Sequence, residues 1–414
     1  VITGIGVVAP NGVGREPFTA ALLAGRSGIS ELDTIDTGRL KSWAAGQVRS
    51  LDVASVLDPV ELRRVPRMVP LAVAAAREAL AQADFSPAVD DLATRRSIGV
   101  SLGTGGGGLA FVEDQYRKIF AGESPSPFGI TAGTHGNLSS ELSIQLGLRG
   151  PSHVLSTGCT SSTDALGYAA LQIRAGVTPM MLAGGADAPI APGILAGFER
   201  MRVVSTRRWA EAEQACRPFS ADRDGFILGE GSWMFVLEDA EHAERRGAVP
   251  LAEIAGYAST CDAYHRVQIA PDVAEPVRAV ELALADAGIT PAELDYVNLH
   301  GTGTELNDRM ETLAMHRALG ADARRLPMST TKSMIGHPQG ACGAAGLAAT
   351  ILCARAGFVH PTLNVEQPDP ACDLDYVARS ARPAKVRLAL CNCIAFGSKN
   401  SAMVVRVHLP AGST

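Results

Sequence analysis

The 414-residue chain is 46% hydrophobic and 19% charged, a balance that supplies a large core and excludes disordered, collagen-like and low-complexity chains. Its 37 Lys and Arg against 43 Asp and Glu leave a formal charge of −6, so no overall basic field draws it to nucleic acid. No apolar run reaches the ~18 residues of a membrane span, and the eight irregularly spaced cysteines, behind no signal-peptide pattern, point to reduced thiols in a cytoplasm.

The elements follow in chain order. Val1 to Val8 is a core strand that ends in the turn Pro10-Asn11-Gly12, and Pro70 to Asp84 repeats Ala and Leu at helical spacing. Ser97 to Leu102 is a short strand leading into the glycine run Gly103 to Gly108; Met180 to Ala183 leads likewise into Gly184-Gly185-Ala186-Asp187. After a charged stretch at 239–250 the layout recurs: a strand at Leu251 to Tyr257, an Ala-rich helix at Glu275 to Ala287, a strand at Tyr296 to Leu299 and a glycine turn. Strands alternating with helices of this length predict βαβ units and a mostly parallel sheet. The recurrence predicts two similar halves, 1–248 and 249–414, packed as one body.

The segment His153 to Gly176 carries the first chemistry. A strand, the bend Thr157-Gly158 and a helix from Ser162 to Ala175 set Cys159 at a helix N-terminus, where partial positive charge favours a thiolate and free N–H groups can hold an oxyanion. The alternative for that segment alone is a buried thiol acting as a small hydrophobe. Two more strand ends converge on the same chemistry: Tyr296-Val297-Asn298-Leu299 delivers His300 into Gly301-Thr302-Gly303-Thr304, and Met328 to Thr331 leads to Lys332 and His337. Ligands in α/β sheets bind at such ends.

In order and spacing, Gly158-Cys159-Thr160-Ser161-Ser162, His300 to Thr304 with Asn307-Asp308, Thr331-Lys332-Ser333 with Gly336-His337, and Phe396-Gly397-Ser398-Lys399-Asn400 resemble β-ketoacyl-acyl-carrier-protein synthases. The likeness is greatest to the ketosynthase subunit of type II polyketide synthases. It implies the thiolase fold, a five-layered αβαβα body of two duplicated halves, and decarboxylative Claisen condensation. Cys159 would take an acyl group from a carrier-protein thioester. His300 and His337 would donate Nε2–H to the enolate formed when malonyl thioester loses carbon dioxide, and the N–H groups of Cys159 and Phe396 would hold the later oxyanion. Lys332, paired with Glu311, would orient the histidines and favour the Cys159 thiolate, with Asp308 supporting the site. Thr302 and Thr304 would bind the phosphopantetheine arm, and Phe396 would gate the acyl pocket.

No bound cofactor is implied, since the phosphopantetheine belongs to the acyl carrier protein. That acidic partner should meet Arg63, Arg64 and Arg67 on one predicted helix and Arg207 and Arg208 in a loop; a scattered solvated surface is the alternative. The second expected partner is a homologous chain-length-factor subunit. A fatty-acid synthase homodimer is the competing reading, and the non-catalytic partner itself is a third, opposed by the presence of Cys159, His300, Lys332 and His337. Relative to fatty-acid enzymes, Ala395 and Ser398 replace glycines, which predicts a stiffer gating turn. The glycine run lacks the Lys-Ser/Thr of a phosphate loop, and Cys391-x-Cys393 is a single pair, so no metal is expected.

Overall fold

The computed structural model describes residues 1–85 and 92–410. An 11-stranded sheet holds, in chain order, β1 (Ile2–Ala9), β2 (Ile98–Gly103), β3 (Ser152–Leu155), β4 (Met180–Asp187), β5 (Gly231–Glu238), β6 (Ala252–Cys261), β7 (Tyr296–Asn298), β8 (Met328–Ser329), β9 (Leu388–Ala395) and β10 (Lys399–Val407); its remaining member, Gly12–Val13, folds back on β1. Across the sheet the order is β3-β2-β4-β5-β1-β6-β10-β9-β7-β8. Counted from the middle outwards, 1-5-4-2-3 on one side is matched by 6-10-9-7-8 on the other. The chain is thus wound twice in the same way, and the two windings meet where Ile2 pairs with Ala252.

The expectation of a mostly parallel sheet needs correction. β2 runs parallel to β3 and β4, and β7 to β8 and β9. The inner ladders, β4 with β5, β5 with β1, β6 with β10 and β10 with β9, are antiparallel. Between β9 and β10 only Phe396 to Ser398 intervene, enough for a hairpin and far too few for a parallel crossover.

Five helices complete the layers: α1 (Met68–Gln82), α2 (Ser161–Arg174), α3 (Ala274–Ala287), α4 (Glu305–Leu319) and α5 (Cys342–Arg355). α1 covers β1 and β5 from outside and α3 covers β6 and β10, whereas α2 and α5 pack on each other and each touches strands of both windings. That is the helix-sheet-helix-sheet-helix order implied by the resemblance. α1 starts at Met68 and takes Pro70 into its first turn, where a missing N–H costs no helical bond.

The many glycines serve the middle layer. A Cβ on Gly343 of α5 would lie 2.0 Å from Thr163 Oγ1 on α2, and one on Gly185 of β4 would lie 2.5 Å from Ser162 Cβ. Bulk there would push α2 and α5 off each other and off the sheet. Large core side chains, Trp233, Phe235, Phe18 and Tyr296 among them, are fully buried. Among the described residues no helix is long and apolar enough to cross a membrane.

Candidate active site

Each proposed reactive side chain leaves the carboxyl end of a strand. After β3 the chain turns through Gly158, at φ +73, into a single 3-10 turn, Gly158–Thr160, that carries Cys159 directly ahead of α2. Ser161 Oγ accepts the Thr157 N–H at 2.9 Å and fixes that entry. β7 ends at Asn298, and His300 follows two residues on, ahead of Gly301 at φ +43; β8 runs into a short helix, Lys332–Ile335, and Gly336, at φ +73, turns the chain to His337. Phe396 opens the β9–β10 turn. Side chains from both windings therefore meet at one point.

They meet closely. Cys159 Sγ lies 3.2 Å from His337 Nε2, and the His300 and His337 rings stand 5.5 Å apart at 84°. Lys332 Nζ donates to the His300 carbonyl at 2.6 Å and lies 3.4 Å from His300 Nδ1. An ammonium has no lone pair, so Nδ1 is the acceptor and the neutral His300 carries its proton on Nε2. His337 Nδ1 is buried without a hydrogen-bond partner, so no neighbour fixes that ring's tautomer. All four groups are almost wholly buried.

Burial governs the charge states. It lowers His300 to about 3, helped by the Lys332 charge, and lowers His337 as well. Burial, followed by Cys342, raises the Cys159 thiol, and these outweigh the Lys332 ammonium and the Phe396 N–H, which favour the thiolate. The expected pre-formed thiolate is thus replaced by a resting thiol beside neutral imidazoles. A stability test follows for His300, which has a folded value of about 3 against an ordinary 6.5. Below 6.5 the unfolded chain binds a proton that the native chain refuses, so this contribution is complete above 6.5 and is lost as pH falls towards 3. From pH 7 to pH 5, urea denaturation should show the parent losing roughly 2 kcal/mol relative to His300→Asn. Parallel pH curves would contradict the assignment.

Around this centre lies a buried polar frame. Glu311, fully buried on α4, accepts from the N–H groups of His300 and Gly301, each at 2.7 Å, and from Asn392 Nδ2 at 2.6 Å. The predicted Lys332–Glu311 pair does not form, because the carboxylate is taken up by these donors while Lys332 bonds the His300 carbonyl; the two meet through the His300 backbone. Asp308, also fully buried, accepts from Phe219 N–H at 2.8 Å and pairs with Arg223 at 3.1 Å. Thr304 caps α4, its Oγ1 accepting from Asn307 N–H, and lies 2.9 Å from Thr302 Oγ1.

Cys159, His300, His337, Thr302, Thr304 and Phe396 all face a cavity of about 520 Å³, whose other walls include Met201, Phe226 and Met310. A larger surface hollow of about 670 Å³ around Arg15 and Phe358 holds none of these groups. The turn beside Phe396 is held by Gly397 N–H to the Arg266 carbonyl, 2.9 Å, and Ser398 Oγ to the His265 carbonyl, 2.7 Å. Ser398 has φ +63, a left-handed conformation costing a side chain on the order of 1 kcal/mol.

The arginines are arranged differently from the expectation. Arg63, Arg64 and Arg67 do not share a helix: one ends at Leu62, α1 begins at Met68, and Pro66 separates them. Arg67 is locked on Glu230 at 2.7 Å, and Arg64 on Glu61 at 2.5 Å. Arg207 and Arg208 are exposed and lie over Trp209 and Trp43, at 4.2 and 5.1 Å.

Several site residues escaped sequence reasoning. Asp187, at the end of β4, accepts from Gly105 N–H at 2.7 Å and Gly340 N–H at 2.8 Å, tying the glycine run of one winding to the turn after His337 in the other. Burial, against those N–H bonds, raises it to about 6. An acid closing a strand directly after Gly184-Gly185-Ala186 was its signal. Asn392 carried no signal, Cys393 counted only with Cys391 as an incomplete metal pair, and Cys342 read as one more small residue in a glycine- and alanine-rich stretch.

The family model for the beta-ketoacyl synthase N-terminal domain matches residues 1–243, and that for the C-terminal domain matches 251–366. The tetracenomycin polyketide synthase ketoacyl synthase alpha subunit of Streptomyces glaucescens is 39% identical over 98% of this chain and 96% of its own. The 3-oxoacyl-[acyl-carrier-protein] synthase 2 of Synechocystis is 38% identical over 99% of this chain and 98% of its own. Among solved structures, the ishigamide ketosynthase/chain length factor superposes with a TM-score of 0.89 at 32% identity, covering 99% of this chain and 98% of that one.

Proposed function

The chain belongs to the β-ketoacyl synthase family, and on that premise we propose that it is the condensing subunit of a type II polyketide synthase, built of halves 1–248 and 249–414. The observation that carries the reading is the 3.2 Å contact between Cys159 Sγ and His337 Nε2 beside a second neutral histidine. In the first half-reaction the sulfur attacks the acyl thioester of the carrier protein while His337 Nε2 takes its proton; the pantetheine thiol leaves with that proton. In the second, the malonyl thioester loses carbon dioxide and its enolate oxygen accepts from His300 Nε2–H and from His337 Nε2–H, the His337 ring having exchanged its Nδ1 proton for one on Nε2 through solvent between the half-reactions. The carbanion attacks the acyl carbon, the N–H groups of Cys159 and Phe396 hold the oxyanion, and Cys159 leaves as the new C–C bond remains. Thr302 and Thr304 at the cavity wall suit the amides of the phosphopantetheine arm, which is substrate, and no bound cofactor takes part.

The partners follow from the same reading. β3 is a terminal strand of the sheet, packed by helix Leu138–Leu146. Phe120, Ile130 and Ile144 are exposed at 87%, 82% and 68%. An open edge beside the exposed Ile144, on a surface that also exposes Phe120 and Ile130, suits a second, homologous chain, as in the ketosynthase/chain length factor pair. The eight cysteines, all free, suit a reducing cytoplasm.

Intact mass spectrometry after incubation with an acyl-carrier protein tests the reading: one acyl adduct is expected, absent in Cys159→Ala, and no adduct on the parent overturns it. Activity as a lone homodimer on ordinary fatty acyl chains would favour the fatty-acid alternative. For the carrier surface, Arg63→Glu with Arg208→Glu should raise KM for carrier-bound substrate about tenfold at low salt with kcat little changed, the effect shrinking as salt is added. An unchanged KM would remove these arginines from the contact.

A further inference from the structure

Behind the nucleophile lie two thiols for which the condensation has no use. Cys342, the first residue of α5, and Cys393, in β9, are 4% and 2% exposed. Their sulfurs are 3.6 Å apart, and Cys393 Sγ lies 3.4 Å from His300 Nδ1. One donor atom each from His300, Cys342 and Cys393 falls within 4.8 Å of the other two. We infer that these three side chains form a binding site for a soft divalent cation of the zinc or cadmium class.

The distances decide between a metal and a disulfide. With Zn–S near 2.3 Å and Zn–N near 2.0 Å, a tetrahedral ion sets its ligand atoms roughly 3.5–3.8 Å apart. The observed 3.6 and 3.4 Å edges match that figure with little movement, whereas a disulfide requires sulfurs at about 2.05 Å. The Cys159 carbonyl oxygen, 3.2 Å from Cys342 Sγ and 3.1 Å from Cys393 Sγ, accepts from both thiols and lies beside the edge they form. On binding, each thiol loses its proton to solvent and the two thiolates neutralise the ion. The lone pair of His300 Nδ1 goes to the ion, so Lys332 gives up its 3.4 Å contact with that atom and retains its 2.6 Å bond to the His300 carbonyl. From the sequence no metal is expected, because Cys391-x-Cys393 is a single pair; the second sulfur here is that of Cys342, brought in by α5, while Cys391 Sγ contacts Thr350.

The inference stands apart from the reaction proposed above and is read without measuring activity. Metal-free, reduced protein is titrated with cadmium, following the ultraviolet sulfur-to-cadmium charge-transfer band. The band should saturate at one ion per chain, be displaced by zinc, persist in Cys159→Ala and in Cys261→Ala, which removes the exposed thiol, and vanish in Cys342→Ala and in Cys393→Ala. His300→Asn should weaken binding at least about tenfold. No band in the parent, its loss in Cys159→Ala, or its survival in folded Cys342→Ala or Cys393→Ala overturns the site. X-ray absorption of the cadmium-loaded parent checks the same point without a variant: two sulfur ligands and one nitrogen are expected, and a first shell without sulfur overturns it.

Discussion

Cys159→Gln abolishes acyl transfer and condensation but leaves malonyl decarboxylation running. An amide cannot be acylated, so the first half-reaction has no acceptor and the rate of chain extension falls by ~10³ or more. Decarboxylation asks for something else, namely donors at the enolate oxygen. Those come from His300, whose Nε2–H tautomer is fixed by Lys332, and from His337, neither of which is altered. The glutamine carbonyl also suits the Phe396 N–H that otherwise reaches the sulfur, so it resembles the acylated side chain more closely than a free thiol does. Carbon dioxide release from malonyl carrier protein, measured beside condensation, checks this. If the folded variant loses both activities, the division of labour between the sulfur and the histidines is wrong.

Glu311→Ala has the largest effect on stability. One buried carboxylate satisfies the backbone donors of His300 and Gly301 and the Asn392 amide. Alanine leaves all of them in a dry interior and deprives Lys332, 3% exposed, of a nearby counter-charge. The expected cost is roughly 3–5 kcal/mol, with kcat falling because the His300 backbone loses its anchor. Glu311→Gln keeps an acceptor oxygen and should retain most of the stability. Equal denaturation midpoints for parent and alanine variant would show that solvent or a neighbour takes over those bonds.

These two outcomes mark what the chain's pattern reveals and what it hides. Cys159, His300, Lys332 and His337 were legible because each lies in a glycine-rich or small-residue turn or short helix that follows a short β-branched or apolar strand, so local sequence alone sets them beyond strand ends. The doubling of the fold was legible from the repeated alternation of strand, helix and glycine turn. The antiparallel inner ladders were not, because strand direction depends on connections such as the Phe396 to Ser398 hairpin and not on the strands themselves. Partner choice was hidden for a similar reason. Lys332 and Glu311 are oppositely charged and close, yet the carboxylate goes to three neutral donors that no local pattern brings together. Pro66, plain in the sequence, was the overlooked signal that Arg63 and Arg67 belong to different segments.

The middle layer has one further consequence. α2 and α5 both begin at the reactive centre, where the turn Gly158–Thr160 touches its counterpart Gln339–Ala341, and each helix start carries a partial charge of about +0.5. Two such ends, with the Lys332 ammonium between the windings, make a standing electrostatic well. A malonyl group enters with its negative charge on a carboxylate; after carbon dioxide departs, that charge resides on the enolate oxygen, and as the new bond forms it passes to the oxyanion and then to the departing Cys159 sulfur. The well therefore holds the same unit of charge from entry to bond formation, and the histidines have only to direct it. Duplicating the fold doubled the background field at a single point.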